Sequence, residues 1–149
     1  MSENLRTEAT LRNFLVPAVL AVALVLPAQA AAKKKHYAGA VSPGGTISFK
    51  VTQKKHSKVK SVSAFNFAGV PVNCADGAHT ARGFVSFPVN LKKGKFKIVA
   101  TSGVTGASLK IHGNLPAGTI HLTGNAAIEP SGTGTNCDSG VLSWTAHRG

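Results

Sequence analysis

The sequence has few acidic residues. Only five Asp and Glu residues stand against 17 Lys and Arg residues, which gives a formal net charge of +12. Glu3 and Glu8 are balanced by Arg6 and Arg12, so the basic excess lies in the rest of the chain. This excess favours anionic partners.

Cysteine is scarce as well. Cys74 and Cys137 are the only two, so they allow a single disulfide connectivity, with two free thiols as the alternative. Disulfides persist in oxidising compartments, and a bridge across this loop stabilises by about 4 kcal/mol in the chain-entropy model. We expect the bridge to join the strand that ends at Cys74 to the start of the last strand.

Local signatures of catalysis are absent. The sequence has no Gly-x-Ser-x-Gly elbow, no His-Glu-x-x-His, no Cys-x-x-Cys and no Gly-rich phosphate loop after a strand. A two-carboxylate glycosidase would have to draw on Asp76, Glu129 and Asp138. We therefore expect a non-enzymatic protein without a cofactor. A small secreted hydrolase with Asp76, Asp138 and His79 beside the bridge is the alternative, against ordinary turn chemistry for the two aspartates.

The one long apolar run, Phe14 to Leu26, has thirteen residues and is interrupted by Pro17. It is shorter than the roughly 20 residues of a transmembrane helix, and a small-x-small cleavage signal that ends at Ala30 follows it. Residues 1–30 are therefore predicted to be a signal peptide, with a secreted or cell-envelope protein as the product. The basic run Lys33–Lys35 opposes translocation, so a slowly processed or uncleaved leader is the alternative.

No segment has a sustained helical period. Short alternating segments rich in Val, Ile, Thr and Phe recur instead, separated by turn signals. This pattern predicts an all-β fold, an antiparallel two-sheet β-sandwich of about seven or eight strands, with a small β-barrel as the alternative. Residues 46–149 would form the single domain, and residues 31–45 a basic, flexible arm.

Three details of the strands are specific enough to check. The apolar phase of segment 62–74 changes near Gly69, which predicts a β-bulge. Segment 83–91 keeps Phe87 in phase with its other apolar residues, so we expect one strand with Phe87 inward. The last strand is expected to bury Trp144, the only tryptophan.

Beyond the leader, most of the basic residues fall into three groups, Lys33–Lys35, Lys54–Lys60 and Lys92–Lys97. Lysine acts as a point charge, which suits diffuse contact with phosphate or sulfate more than sequence-specific reading of nucleic acid. We expect a basic face that binds an anionic cell-envelope polymer or an anionic lipid surface. The alternative is charge that keeps the protein soluble and protects strand edges. The candidate residues are Lys54, Lys55, Lys58, Lys60, Lys92, Lys93, Lys95 and Lys97.

Two histidines lie on the arms of a predicted hairpin at Pro116–Gly118. If Ile111 pairs with Leu122, His112 lies opposite His121 with the Cβ atoms ~5 Å apart. Facing imidazoles can bind zinc or copper, but a structural zinc site needs four ligands and nothing nearby supplies the others. We therefore predict no metal site and two solvated histidines.

A series of short motifs runs in order through most of the chain after the leader. In this order they resemble short exported proteins of high-GC Gram-positive bacteria. That group has no assigned activity, so the resemblance implies a secreted β-sandwich and no functional residues. The motifs are Phe65-x-Phe67, Cys74-x-Asp76-Gly77, Gly94-Lys95-Phe96, Gly118-Thr119-Ile120, Asn136-Cys137-Asp138-Ser139-Gly140 and Trp144-Thr145-Ala146-x-Arg148.

A structural or protein-interaction module is the third functional hypothesis.

Overall fold

The structure is a computed structural model that describes residues 32–149, so the predicted signal peptide lies outside the described residues. Within this range no helix is long and apolar enough to cross a membrane. The described residues form ten strands, all in antiparallel pairs. The strands are β1 (Lys33–Ser42), β2 (Thr46–Gln53), β3 (Lys60–Cys74), β4 (Gly77–Val85), β5 (Val89–Leu91), β6 (Lys95–Thr101), β7 (Ser108–Asn114), β8 (Ala117–Ala127), β9 (Thr133–Asp138) and β10 (Leu142–Arg148).

The strands form one sheet that folds back on itself into two packed layers. β4 and β5 pair with β3, and the path continues through β2, β1, β10, β8 and β7 to β6. β9 lies between β8 and the end of β3. β4, β5 and β6 have free edges, and β9 joins β3 through the single pair Asn73 with Asp138, so the sheet is not a closed barrel. The all-β sandwich prediction is confirmed, with ten strands in place of seven or eight.

The two layers meet in a core of aromatic and β-branched side chains. Trp144 in β10 is 1% exposed, which confirms the prediction of its burial. Its ring centroid lies 5.8 Å from that of Phe49 and 6.3 Å from that of Phe65, both in edge-to-face geometry. The indole Nε1 has no hydrogen-bond partner among the described residues, so Trp144 stabilises the fold by packing alone.

The segment expected to be a flexible arm contains strand β1. β1 pairs with β2 on one side and with β10 on the other, so it is a central strand. The prediction for residues 31–45 is therefore wrong over 33–42. The alternation is present, with Tyr37 and Val41 on the inner side, but Gly39 between them and small outward residues make it weak in the sequence.

The β-bulge near Gly69 is confirmed, whereas the single strand over 83–91 is not found. The register between β3 and β4 shifts between Phe67 and Val70, and Gly69 has φ +66°, which glycine adopts without strain. β4 ends at Val85 and β5 begins at Val89, with Phe87 between them 46% exposed. Pro88 explains the break, because proline cannot donate to a strand ladder.

Candidate functional site

Cys74 and Cys137 form the predicted disulfide. Cys137 lies in β9, and not at the start of the last strand, β10, as expected. The bridge therefore ties β9 to the end of β3, where the two strands share a single residue pair, Asn73 with Asp138. A disulfide is consistent with an extracellular setting.

Lysines converge at one end of the inner face of β1, β2 and β3. This face is apolar at Val51 and Val62 and becomes polar two residues further along, because residues i and i+2 of a strand share a face. There the register sets Gln53 between Lys33 on β1 and Lys60 on β3. Neighbouring strands lie ~4.8 Å apart, so Lys33 and Lys60 are about 10 Å apart at their Cα atoms.

These residues line a cleft of about 400 Å³, which we call the lysine cleft. Its floor is partly apolar and includes Tyr37, whose ring stacks on Phe49 with the centroids 5.2 Å apart. None of its lining residues is acidic. The lysines that line it come from β1, from the β2–β3 loop, from the start of β3 and from the turn between β5 and β6: Lys33, Lys35, Lys58, Lys60 and Lys93.

The structure divides the eight candidate lysines between the lysine cleft and other surfaces. Lys58, Lys60 and Lys93 line the cleft. Lys33 and Lys35, which the candidate set lacked, also line it, because they belong to β1 and not to a flexible arm. The remaining candidates are exposed in the β2–β3 loop, in the β5–β6 turn or along β6: Lys54, Lys55, Lys92, Lys95 and Lys97.

The lysines of β6 point outward, as their alternation with buried Phe96 and Ile98 predicts. Lys97 pairs across the strands with His112. These lysines therefore lie on the outer face of β6 and β7, a surface separate from the lysine cleft.

The three carboxylates of the described chain lie outside the lysine cleft and contact nearby groups of their own. Glu129 accepts a hydrogen bond from the backbone N–H of Gly69 at 2.9 Å. Asp76 Oδ1 lies 3.1 Å from His79 Nε2. Asp138 Oδ1 lies 2.9 Å from His121 Nε2. The positive charge of the cleft is therefore not neutralised from within.

The residues of the hydrolase alternative make two separate contacts. His79 contacts Asp76, in a geometry that makes no hydrogen bond, whereas Asp138 contacts His121. Asp138 also accepts a hydrogen bond from the N–H of Gly140 at 2.7 Å. That bond first, and then the contact with His121, hold the pKa of Asp138 below its usual value. Asp138 thus acts as a turn residue.

The predicted juxtaposition of His112 and His121 is wrong. His112 pairs with Thr119, and His121 pairs with Lys110. The hairpin turn is tighter than expected, because Asn114 already pairs with the residue three positions later, and the register moves by two residues. Residues 32–149 contain no group of three or more His, Cys, Asp or Glu side chains that could hold a metal ion.

Comparison of the chain with protein-family models, with curated proteins and with solved structures finds no match. The resemblance to short exported proteins of high-GC Gram-positive bacteria therefore stays an expectation.

Proposed function

We propose that this protein is exported and binds an anionic polymer of the cell envelope in the lysine cleft, without catalysing a reaction. The observation that carries the proposal is the convergence of five lysines on one cleft that has no acidic lining residue. The disulfide supports an extracellular setting for this activity.

The lysines of the cleft repel one another. Lys33 and Lys35 lie on the same side of β1, about 7 Å apart at their Cα atoms. Two unit charges at about 7 Å repel by about 0.6 kcal/mol in water, and further lysines add to this repulsion. A bound polyanion would remove it, so the arrangement favours an anionic ligand.

Protection of strand edges does not explain every lysine of the cleft. Inward-pointing lysines protect a sheet when they lie on its free edges. Lys33 and Lys35 precede Tyr37, where the pairing of β1 with β10 begins, so β1 is paired there on the β2 side only. Lys60, by contrast, is paired with Gln53 on one side and with Leu91 on the other, so edge protection does not account for Lys60 and ligand binding explains it better.

The chemistry of the cleft suits a repeating phosphate or sulfate. Its charged residues are all lysines, which contact anions without the bidentate geometry of arginine. Tyr37, Leu91 and Leu115 give it an apolar floor on which the uncharged part of each repeat can rest.

The test compares two double variants that remove the same charge from different surfaces. Lys33→Ala with Lys60→Ala removes two of the five lysines of the lysine cleft, and Lys95→Ala with Lys97→Ala removes the two lysines of the outer face of β6. The oxidised protein, residues 31–149, is titrated with poly(glycerol phosphate), dextran sulfate and polygalacturonate. We expect binding that fades between roughly 0.05 and 0.5 M salt and an affinity about tenfold lower for the cleft variant than for the control.

Other outcomes would contradict the proposal. Equal losses in the two double variants would show that net charge alone drives binding. Preference for anionic vesicles over every polymer would point to a lipid surface. Cleavage of a polymer that is lost on Asp76→Asn, with the fold intact, would support the hydrolase alternative.

A further inference from the structure

A second cleft, of about 390 Å³, lies between the free edge of β4 and the segment that joins β6 to β7. Its lining is mainly apolar, and Arg82 is its only charged lining residue. Phe84, Phe87 and Val104 line it and are 73%, 46% and 97% exposed. Scattered apolar residues are ordinary on a protein surface, but a cluster around one groove marks an interaction site.

The edge of β4 is covered along part of its length. Thr80 O accepts a hydrogen bond from Glu129 N at 2.8 Å, and Ala81 forms an isolated bridge with Ile128. Beyond Arg82 no other strand of the described chain pairs with the outer edge of β4. The groove begins where that covering ends.

The backbone of β4 offers unpaired hydrogen-bonding groups to the groove. Thr80 directs its carbonyl away from β3, to Glu129. Alternate residues of a strand direct their N–H and C=O to the same side, so Arg82 and Phe84 direct theirs to this edge as well. The bridge between Ala81 and Ile128 pairs the N–H of Arg82 with Ala127, the last residue of β8. The C=O of Arg82 and both backbone groups of Phe84 are left for an incoming strand.

We propose that this groove binds an extended segment of a partner protein, which adds as a strand to the edge of β4 over Arg82–Val85. Strand addition supplies main-chain hydrogen bonds, and alternate side chains fill pockets along the edge. The partner segment has apolar residues at alternate positions and a carboxylate that pairs with Arg82.

Charge selects a partner chain over a second copy of this protein. Each copy carries a formal charge of +12, and the three Asp and Glu side chains of residues 32–149 contact groups of their own copy. A second copy would therefore bring repulsion, and its described residues offer no unengaged Asp or Glu side chain to Arg82. A small amphiphile would fill the groove but would leave the backbone groups of the edge without strand partners.

The test uses a pool of eight-residue peptides that alternate Val, Ile, Leu or Phe with Thr and carry an Asp near each end. Binding is followed by the NMR amide signals of residues 80–85. The best peptide is then made in two N-methylated forms, each blocking one alternate set of its amides. We expect one form to bind about tenfold more weakly and the other to bind like the parent, because only one set faces β4.

Three variants locate the added strand on the protein. Phe84→Pro removes an edge N–H and should weaken binding about tenfold relative to Phe84→Val, which keeps the N–H. Val99→Pro changes the free edge of β6 outside the groove lining and should leave the affinity unchanged. Failure of the whole pool, equal binding of both N-methylated forms, or dimerisation of the protein through β4 would overturn the proposal. So would binding of a fluorescent fatty acid that displaces the peptide while Phe84→Pro has no effect.

Discussion

Gly134 in β9 leaves no room for a side chain. A Cβ atom at this position would lie 2.6 Å from the Sγ atoms of both Cys74 and Cys137. We expect Gly134→Ala to lower the free energy of unfolding by about 1–3 kcal/mol, as overpacking does. Urea unfolding followed by the fluorescence of Trp144 measures the change. Gly103→Ala is the control, since no atom lies within 4 Å of its Cβ position; equal stability of the two variants would show that β9 yields easily at the bridge.

Asp138 gives the stability of the protein a defined dependence on pH. Its pKa is lowered by the Gly140 N–H and by His121, so the folded state favours the carboxylate. The stabilisation is present above the usual Asp pKa of about 3.9 and is lost as the pH falls through the lowered value. We expect the difference in Tm between the wild type and Asp138→Asn to shrink between about pH 6 and about pH 2.5. A constant difference in Tm over this range would show that the negative charge of Asp138 does not contribute to the stability.

Single residues also show which contacts can be predicted from the sequence and which depend on the strand register. The disulfide was predictable, because two cysteines leave one pairing. The lysine cleft was not, because it needs the register that sets Lys33 beside Gln53 and Lys60. The partner of Asp138, His121, depends in the same way on the position of β9 beside β8.

At the scale of the element, removal of β1 tests whether residues 33–42 are a structural strand or a flexible arm. A chain that begins at residue 43 should show no cooperative unfolding transition, because β2 and β10 both lose a partner strand over the core. The loss is expected to exceed the whole stability of a domain, about 5–15 kcal/mol. Calorimetry and Trp144 fluorescence make the comparison with a chain that begins at residue 32. Cooperative unfolding of the shorter chain would restore the interpretation as an arm.

The elements that were predicted correctly have large apolar residues in phase. β2 and β6 alternate clearly, and both were expected. β1 was missed because Gly39 and small neighbours give the alternation little contrast. The predicted register of the β7–β8 hairpin was wrong by two residues. Apolar alternation determines which face a residue occupies, but it does not determine the length of the turn.

At the scale of the whole molecule, the proposed ligand should stabilise the fold. A polymer that binds only the folded state adds about 2.7 kcal/mol at 100 times its Kd. We expect poly(glycerol phosphate) to raise the Tm of the wild type and of the Lys95→Ala and Lys97→Ala control, and to raise that of the Lys33→Ala and Lys60→Ala variant much less. The rise should vanish at high salt. An equal rise in the two variants would contradict a role for the lysine cleft.

The pairing of β1 with β10 has a mechanical consequence. The pairing starts at the end of β10, with Tyr37 opposite Arg148 and Gly149 N bonded to His36 O, and the first residues of β1 extend past it. A pulling force applied between Lys33 and Arg148 would load the hydrogen bonds of this pair one after another, from the open end, and not all together. The disulfide would then keep the chain between Cys74 and Cys137 from being extended, so the protein would open easily at one seam and stop at the bridge.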